Sequence, residues 1–339
     1  TVSANPVGPR RSPVRQSRIV GTGSYLPDRT VGNAEVSQGL RLDDDAVYRR
    51  TGIRSRHWAG QDEACSHLAE RAARRACEAA GLSPSSVDAI LVSTTSPDMA
   101  LPSTACLLQQ SLGAQGAAAF DLAASCSGFL YGLSMADRLI RSGQYRRCLV
   151  VAAEIKSRSL DLEDQATAIL FGDGAGAAVV TEEQGPQGIL GVRLYADGTR
   201  HELISMPAGG SRQPASPQTV REGLHTLRIR GGPLFRVAVK RLAEAVAGIL
   251  KEFGVGVDDL GQVILHQANG RILRALGERL GIPPAKLYSV IERFGNTSSA
   301  SLPIALDLAV REGRIHSGDL ILLGTFGGGL TWATALVRW

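Results

Sequence analysis

One thiol stands in a run of small and apolar residues, Asp121-Leu122-Ala123-Ala124-Ser125-Cys126-Ser127-Gly128-Phe129. A strand pattern enters this run and an apolar helix pattern, Leu130 to Ile140, leaves it. A cysteine at such a corner has its sulfur at the positive end of a helix, which lowers a thiol pKa and makes a nucleophile. A buried, inert cysteine is the competing reading. Two further groups complete a set with chemical meaning. His266 closes the apolar run Val263 to Leu265, and Asn296 stands in Gly295-Asn296-Thr297-Ser298-Ser299. Cysteine, histidine and asparagine together suit acyl transfer. Cys126 would attack a thioester carbonyl, and His266 would move a proton or donate a hydrogen bond. Asn296 would donate to a developing enolate or oxyanion, where one lost donor costs roughly 3–4 kcal/mol. Each has a bland alternative. A lone histidine is commonly structural, Asn in Gly-Asn-Thr is commonly a turn residue, and the glycines of Phe326-Gly327-Gly328-Gly329 either relieve crowding or present backbone N–H groups to an oxyanion.

The elements that must position these groups alternate. Ser17 to Gly21 begins a strand. Gly21-Thr22-Gly23 lacks the third glycine of a dinucleotide loop, and Pro27 arrives where a helix should run, so a Rossmann site is rejected. Apolar periodicity predicts a helix over 67–80, a buried strand over 89–94, a helix over 102–112, a strand over 117–123, a helix over 127–141 and a strand over 148–153. Residues 172–180 are glycine-rich but lack the Gly-Lys-Ser/Thr ending of a phosphate loop, which leaves close packing of small residues. This alternation of strands and helices is an α/β layered pattern.

The second half repeats the first. Gly81 to Ser93 and Gly254 to His266 span the same interval (93 − 81 = 266 − 254), each running from a helix end into a strand. Arg141-Ser142-Gly143 resembles Arg311-Glu312-Gly313 at an offset of 170 (311 − 141). The same offset carries Cys126 onto Asn296 (126 + 170), so the two are expected at equivalent corners of two duplicated halves. Pseudo-twofold halves would bring Cys126, Asn296 and His266 to one shared site. The expected organisation is a flexible basic arm over 1–16, a first half over 17–180, linking strands and loops over 181–226, and a second half over 227–339.

Composition narrows the class. The 339 residues are 44% apolar and 20% charged, a globular rather than disordered balance. No apolar run reaches the ~18 residues of a membrane span. The start, rich in proline and arginine, does not resemble a secretory signal. Five cysteines without C-x-x-C pairs argue against a disulfide scaffold or a zinc site and for a cytoplasmic location. The net charge of +5 is partly carried by Arg10, Arg11, Arg15 and Arg18, and aromatics are 5%, which excludes an aromatic-and-basic nucleic-acid surface. An acidic protein partner is compatible with this charge.

From Ser17 to Trp339 the motifs resemble the β-ketoacyl-acyl-carrier-protein synthase III family. They are GTGSYLP at 21–27, RTGIRSRH at 50–57, AASCSGF at 123–129, FGDGAGAA at 171–178, HQAN at 266–269, GNTSSAS at 295–301 and FGGGLTW at 326–332. Each is weak alone; seven in order are specific. The resemblance implies a thiolase-like fold of five α-β-α-β-α layers and a homodimer. It implies that Cys126 takes a starter acyl group from acyl-CoA or an acyl carrier. Malonyl-acyl-carrier-protein then loses CO₂, with His266 and Asn296 holding its thioester carbonyl, and the carbanion attacks the acyl-cysteine. It further implies that Phe326 favours decarboxylation, that Gly328 N–H joins that of Cys126 in an oxyanion hole, and that no metal and no cofactor is required beyond coenzyme A or phosphopantetheine thioesters.

For the carrier protein, Arg271, Arg236 and Arg279 fall at the family's basic positions, and helix spacing adds Arg274 and Lys240. An ordinary solvated helix face is the alternative. Arg50 is retained, but Ala46 and Gln165 replace the family's adenine-clamping Trp and Arg, and Leu101 stands where small-primer members often carry Phe. Leu101 would reach the partner subunit's acyl pocket. These departures imply altered starter recognition. The competing activity is acyl transfer to an oxygen or nitrogen acceptor without decarboxylation; an inactive assembly subunit is disfavoured by the complete triad.

Overall fold

Two five-stranded sheets of the same topology carry the chain. The computed structural model describes residues 16–339; the arm at 1–16, with Arg10, Arg11 and Arg15, lies outside the described residues save for Gln16. The first half contributes β1 (Gln16–Tyr25), α1 (Cys65–Ala79), β2 (Ala89–Ser93), α2 (Thr104–Leu112), β3 (Ala118–Leu122), α3 (Gly128–Arg141), β4 (Arg147–Glu154) and β5 (Gly174–Glu183). The second contributes β6 (Gly188–Ala196), α4 (Gly231–Phe253), β7 (Gln262–Leu265), α5 (Gly270–Leu280), β8 (Leu287–Tyr288), α6 (Ser301–Arg311), β9 (Leu320–Gly327) and β10 (Thr331–Arg338). The sheet orders are β3-β2-β4-β5-β1 and β8-β7-β9-β10-β6. In each, the first three strands are parallel and the last two are added antiparallel. The duplication thus extends to every strand of the two five-stranded sheets, and β6, from the segment expected to link the halves, is the second sheet's counterpart of β1.

Continuous apolar runs such as Ala-Ile-Leu-Val-Ser in β2 suit strands covered on both faces. Helices α3 and α6 lie between the sheets. Phe129, Leu130 and Leu133 of α3 share one core with Leu302 and Ile304 of α6, Val150 of the first sheet and Leu323 of the second. Helices α1 and α2 cover the outer face of the first sheet, and α4 and α5 that of the second. The result is the expected thiolase-like α-β-α-β-α stack. The glycines of Gly21-Thr22-Gly23 serve this packing: a Cβ at Gly23 would stand 2.4 Å from the Ala72 carbonyl of α1.

The repeat is not a strict copy. Helix α3 has 14 residues and α6 has 11. Their C-terminal ends differ by 170 positions (311 − 141), but their N-terminal ends differ by 173 (301 − 128). The tight turns before them carry matching left-handed residues, Ser125 at φ 49° and Ser298 at φ 54°. The residue equivalent to Cys126 is therefore Ser299, and Asn296 lies three positions earlier (299 − 296), on the segment that enters the turn. The uniform offset fails because α6 is almost one turn shorter at its start.

Candidate active site

Cys126 sits in the 3₁₀ turn Ser125–Ser127 that links β3 to α3. It is buried. The β9–β10 hairpin closes over it: Thr331 Oγ1 donates to the Ala124 carbonyl at 2.8 Å, and Ser127 Oγ donates to the Thr331 carbonyl at 3.0 Å. This approach dictates glycine at 327, where a Cβ would stand 2.6 Å from Cys126 N and 2.9 Å from its Cβ. Gly327→Ala is expected to displace the Cys126 backbone and lower turnover by about 100-fold, since a misplacement near 1 Å can lose that much. Steady-state kinetics on the purified variant test this, and unchanged turnover refutes it.

Asn296 and His266 face the same cavity, which has a volume of about 710 Å³ and is also lined by Phe326 and Gly328. The Asn296 main chain is pinned between the Leu170 carbonyl (2.9 Å) and Gly172 N–H (3.1 Å). Its Oδ1 accepts from Ser298 N–H at 2.8 Å, which fixes the amide orientation and leaves the Nδ2 hydrogens as the groups free to donate. His266 follows β7, with Nδ1 2.5 Å from Ser301 Oγ. That hydroxyl also accepts the Gln267 N–H at 3.2 Å. Among the described residues its own proton has only Nδ1 as acceptor, which places the imidazole proton on Nε2. Burial holds the His266 pKa down to about 3, so the ring is neutral at physiological pH. A neutral Nε2–H beside a carboxamide N–H is a pair of donors suited to a thioester oxygen that gains charge. The Gly328 N–H has no acceptor among the described residues, and Phe326 stacks on Trp332 with centroids 6.2 Å apart.

The thiol differs from expectation. Burial pushes the Cys126 pKa up, and the nearby Glu154 carboxylate adds to it, against the hydrogen-bond contacts with Ser298 and Ser125 and the nearby Lys156 ammonium. With its pKa raised above the ordinary value, the resting group is the thiol. Its rate of alkylation by iodoacetamide should rise about tenfold per pH unit and show no plateau below about pH 8.5; a plateau near neutrality would contradict this. A hydrogen-bond chain leads from the thiol to a buried carboxylate. Cys126 Sγ lies 3.5 Å from Ser298 Oγ, which donates to Glu154 Oε1 at 3.0 Å. Since the Ser298 proton is committed to Glu154, the thiol donates to Ser298. Burial alone would raise the Glu154 pKa, but Lys156 and hydrogen bonds from Ser96 and Thr95 hold it below the usual carboxylate range. Ser298, Ser301 and Glu154 received no role from sequence reasoning. The visible signal for Glu154 was an acidic residue closing the apolar run Cys148 to Ala153.

The other expected site residues fall into two groups. Arg50, Arg236 and Arg271 line the cavity, and Arg271 lies over the Phe235 ring at 5.8 Å. Arg274 and Arg279 of α5 and Lys240 of α4 are exposed on the two helices that carry Arg271 and Arg236; Lys240 is within 4.0 Å of Glu244. Arg50 Nη1 donates to Gln165 Oε1 at 3.2 Å. Ala46 lies on the same short helix as Arg50 but outside the cavity lining. Leu101 is 85% exposed and does not line its own chain's cavity.

A model of the C-terminal region of 3-oxoacyl-[acyl-carrier-protein] synthase III matches residues 250–339, and a second model of that synthase matches residues 120–198. The β-ketoacyl-[acyl-carrier-protein] synthase III of Caldanaerobacter subterraneus subsp. tengcongensis is 46% identical over 321 residues, covering 95% of this chain and 97% of that protein. The chain belongs to the 3-oxoacyl-[acyl-carrier-protein] synthase III family. Among solved structures, the synthase III of Aquifex aeolicus VF5 superposes with a TM-score of 0.88 at 42% identity, covering 95% of this chain and all (100%) of that one. The priming β-ketosynthase of the R1128 polyketide biosynthetic pathway superposes with a TM-score of 0.89 at 38% identity, covering 98% of each chain. The motifs on which the resemblance to synthase III rested include the corners that hold Cys126, His266 and Asn296. No helix among the described residues is long and apolar enough to cross a membrane.

Proposed function

We propose that this synthase III family member is a decarboxylative condensing acyltransferase working through Cys126, His266 and Asn296. The observation that carries the reading is the convergence of a buried thiol with two oriented neutral donors on one cavity. Cys126 attacks the carbonyl of a starter thioester, its proton leaves with the departing thiol, and an acyl-cysteine remains. Malonyl-acyl-carrier-protein then enters. Its thioester oxygen sits between His266 Nε2–H and Asn296 Nδ2–H, and the C–C bond to its carboxylate breaks with release of CO₂. The enolate carbon attacks the acyl-cysteine carbonyl. The N–H groups of Cys126 and Gly328 hold the resulting oxyanion, and collapse breaks the C–S bond and frees a β-ketoacyl product. Phe326 keeps water from the carboxylate that leaves. Intact donors for an enolate favour this reading over transfer to an oxygen or nitrogen acceptor.

Arg50, Arg236 and Arg271 serve the mouth, where a phosphopantetheine arm and its acidic carrier protein dock, with Arg274, Arg279 and Lys240 extending the positive surface. The exposed Leu101, with Met99 at 47% exposure beside it, packs against a second copy of the chain in a homodimer acting in the cytoplasm. The chemistry runs on thioester substrates alone. Intact-mass spectrometry after mixing with acyl-CoAs, followed by labelled malonyl-carrier protein, tests the scheme. An acyl adduct on Cys126 and stoichiometric CO₂ are expected; an adduct without CO₂ shifts the assignment to transfer onto another acceptor, and no adduct removes both.

A further inference from the structure

An ion pair stands in the wall of the same cavity. Lys156, two residues beyond β4, is 4% exposed and Glu154 is fully buried. Lys156 Nζ lies 3.1 Å from Glu154 Oε2 and donates to Thr95 Oγ1. Lys156 and Thr95 line the cavity together with Cys126, and the neighbouring wall is apolar, including Ile169, Phe171 and Leu227. Glu154 is saturated: its two oxygens take the hydroxyls of Ser96, Ser298 and Ser299 at 2.7–3.0 Å and Thr95 N–H at 3.2 Å, besides the ammonium. Lys156 is not saturated. An ammonium has three donors, and among the described residues it has two acceptors. A buried ion pair is by itself weak evidence of a stabilising role. An unmatched buried donor facing a cavity is what a site for an oxygen-bearing ligand requires, and such sites reject analogues that lack the oxygen.

We propose that Lys156, held by Glu154 and Thr95, reads a neutral oxygen on the starter acyl group, so that the enzyme prefers a short hydroxyacyl or ketoacyl thioester to the plain alkyl one. The inference rests on the acyl-cysteine reading above. The ammonium is three short contacts from the sulfur, through Ser298 (3.5 Å), Glu154 (3.0 Å) and the carboxylate's other oxygen (3.1 Å), and both groups line one cavity. The pair is already neutral, so a carboxylate on the starter would bring an uncompensated charge into the wall, whereas a hydroxyl or keto oxygen brings none. Loading forms the Cys126 Sγ–acyl bond and releases coenzyme A with the cysteine's proton.

The test compares Cys126 acylation rates for butyryl-, 3-hydroxybutyryl-, acetoacetyl- and succinyl-CoA by intact-mass spectrometry. With the wild-type enzyme, one or both of the hydroxy and keto chains should load at least about tenfold faster than butyryl. The double variant Glu154→Gln/Lys156→Met, which leaves no stranded charge, should reverse that ratio, with thermal unfolding confirming a folded chain. Butyryl loading as fast as the oxygenated chains overturns the inference while leaving the condensing function intact. Fastest loading by succinyl overturns it too. Absence of any adduct from all four removes the acyl-cysteine reading itself, and this inference with it. The wild-type comparison decides the matter even where the double variant does not fold.

Discussion

Cys126→Ala is expected to accumulate no acyl adduct and to condense more than about a thousandfold more slowly than wild type, because no other group can hold the acyl chain as a thioester. Among the described residues none of the remaining cysteines lines the cavity: Cys77 and Cys148 are buried, Cys65 is buried against Thr94 and Ala153, and Cys106 is exposed. The variant separates the two half-reactions. His266 and Asn296 remain in place, so malonyl-carrier protein can still be held and decarboxylated without a condensation partner. CO₂ release should thus survive in part while β-ketoacyl product disappears. The measurement is intact-mass spectrometry for the adduct and labelled CO₂ for the second step. An adduct on the alanine variant would show that another residue carries the acyl group.

Asn296→Ala should do the converse. The acyl-cysteine should form at a rate within a few-fold of wild type, whereas decarboxylation should fall about 10²- to 10³-fold, the loss expected for one donor to a developing oxyanion. The reason is local. Asn296 Oδ1 is committed to Ser298 N–H at 2.8 Å, and only Nδ2 remains for substrate. Removing the amide also frees Ser298 N–H, and Ser298 touches the thiol at 3.5 Å. A modest slowing of acylation is therefore consistent, but parity of the two losses is not. Asn296→Asp is a sharper control: it keeps the acceptor for Ser298 and loses the donor. If either variant releases CO₂ at the wild-type rate, Asn296 does not hold the enolate.

Much of this was legible in the chain. Buried parallel strands need uninterrupted apolar runs, so Ala89–Ser93 and Arg147–Glu154 could be read directly. Helix ends were marked by glycines in the left-handed region, such as Gly254 at φ 63°. The duplication was visible in Arg141-Ser142-Gly143 and Arg311-Glu312-Gly313, but its register was not. A three-residue difference in helix length is silent in a motif at the far end of the helix. It moved the counterpart of Cys126 from Asn296 to Ser299. The strand Gly188–Ala196 was hidden in a segment rich in glycine and polar residues, because an antiparallel strand at the edge of a sheet carries a weaker apolar signal than a central one.

The chemistry available to this protein is written in its residues: one thiol at a strand-to-helix corner, a histidine after a buried strand, an asparagine in a glycine-bounded turn, and two copies of one α/β plan to bring them together. Those are properties of residue type and local order, and short-range sterics and apolar periodicity write them into the chain. Protonation and polarity, by contrast, come from the packed fold. Burial keeps Cys126 a thiol and His266 neutral, Ser301 sets the imidazole proton on Nε2, and Glu154 meets Ser298 144 positions away. Desolvation and long-range hydrogen bonds depend on which surfaces meet, and that is a property of the packed layers rather than of any one stretch.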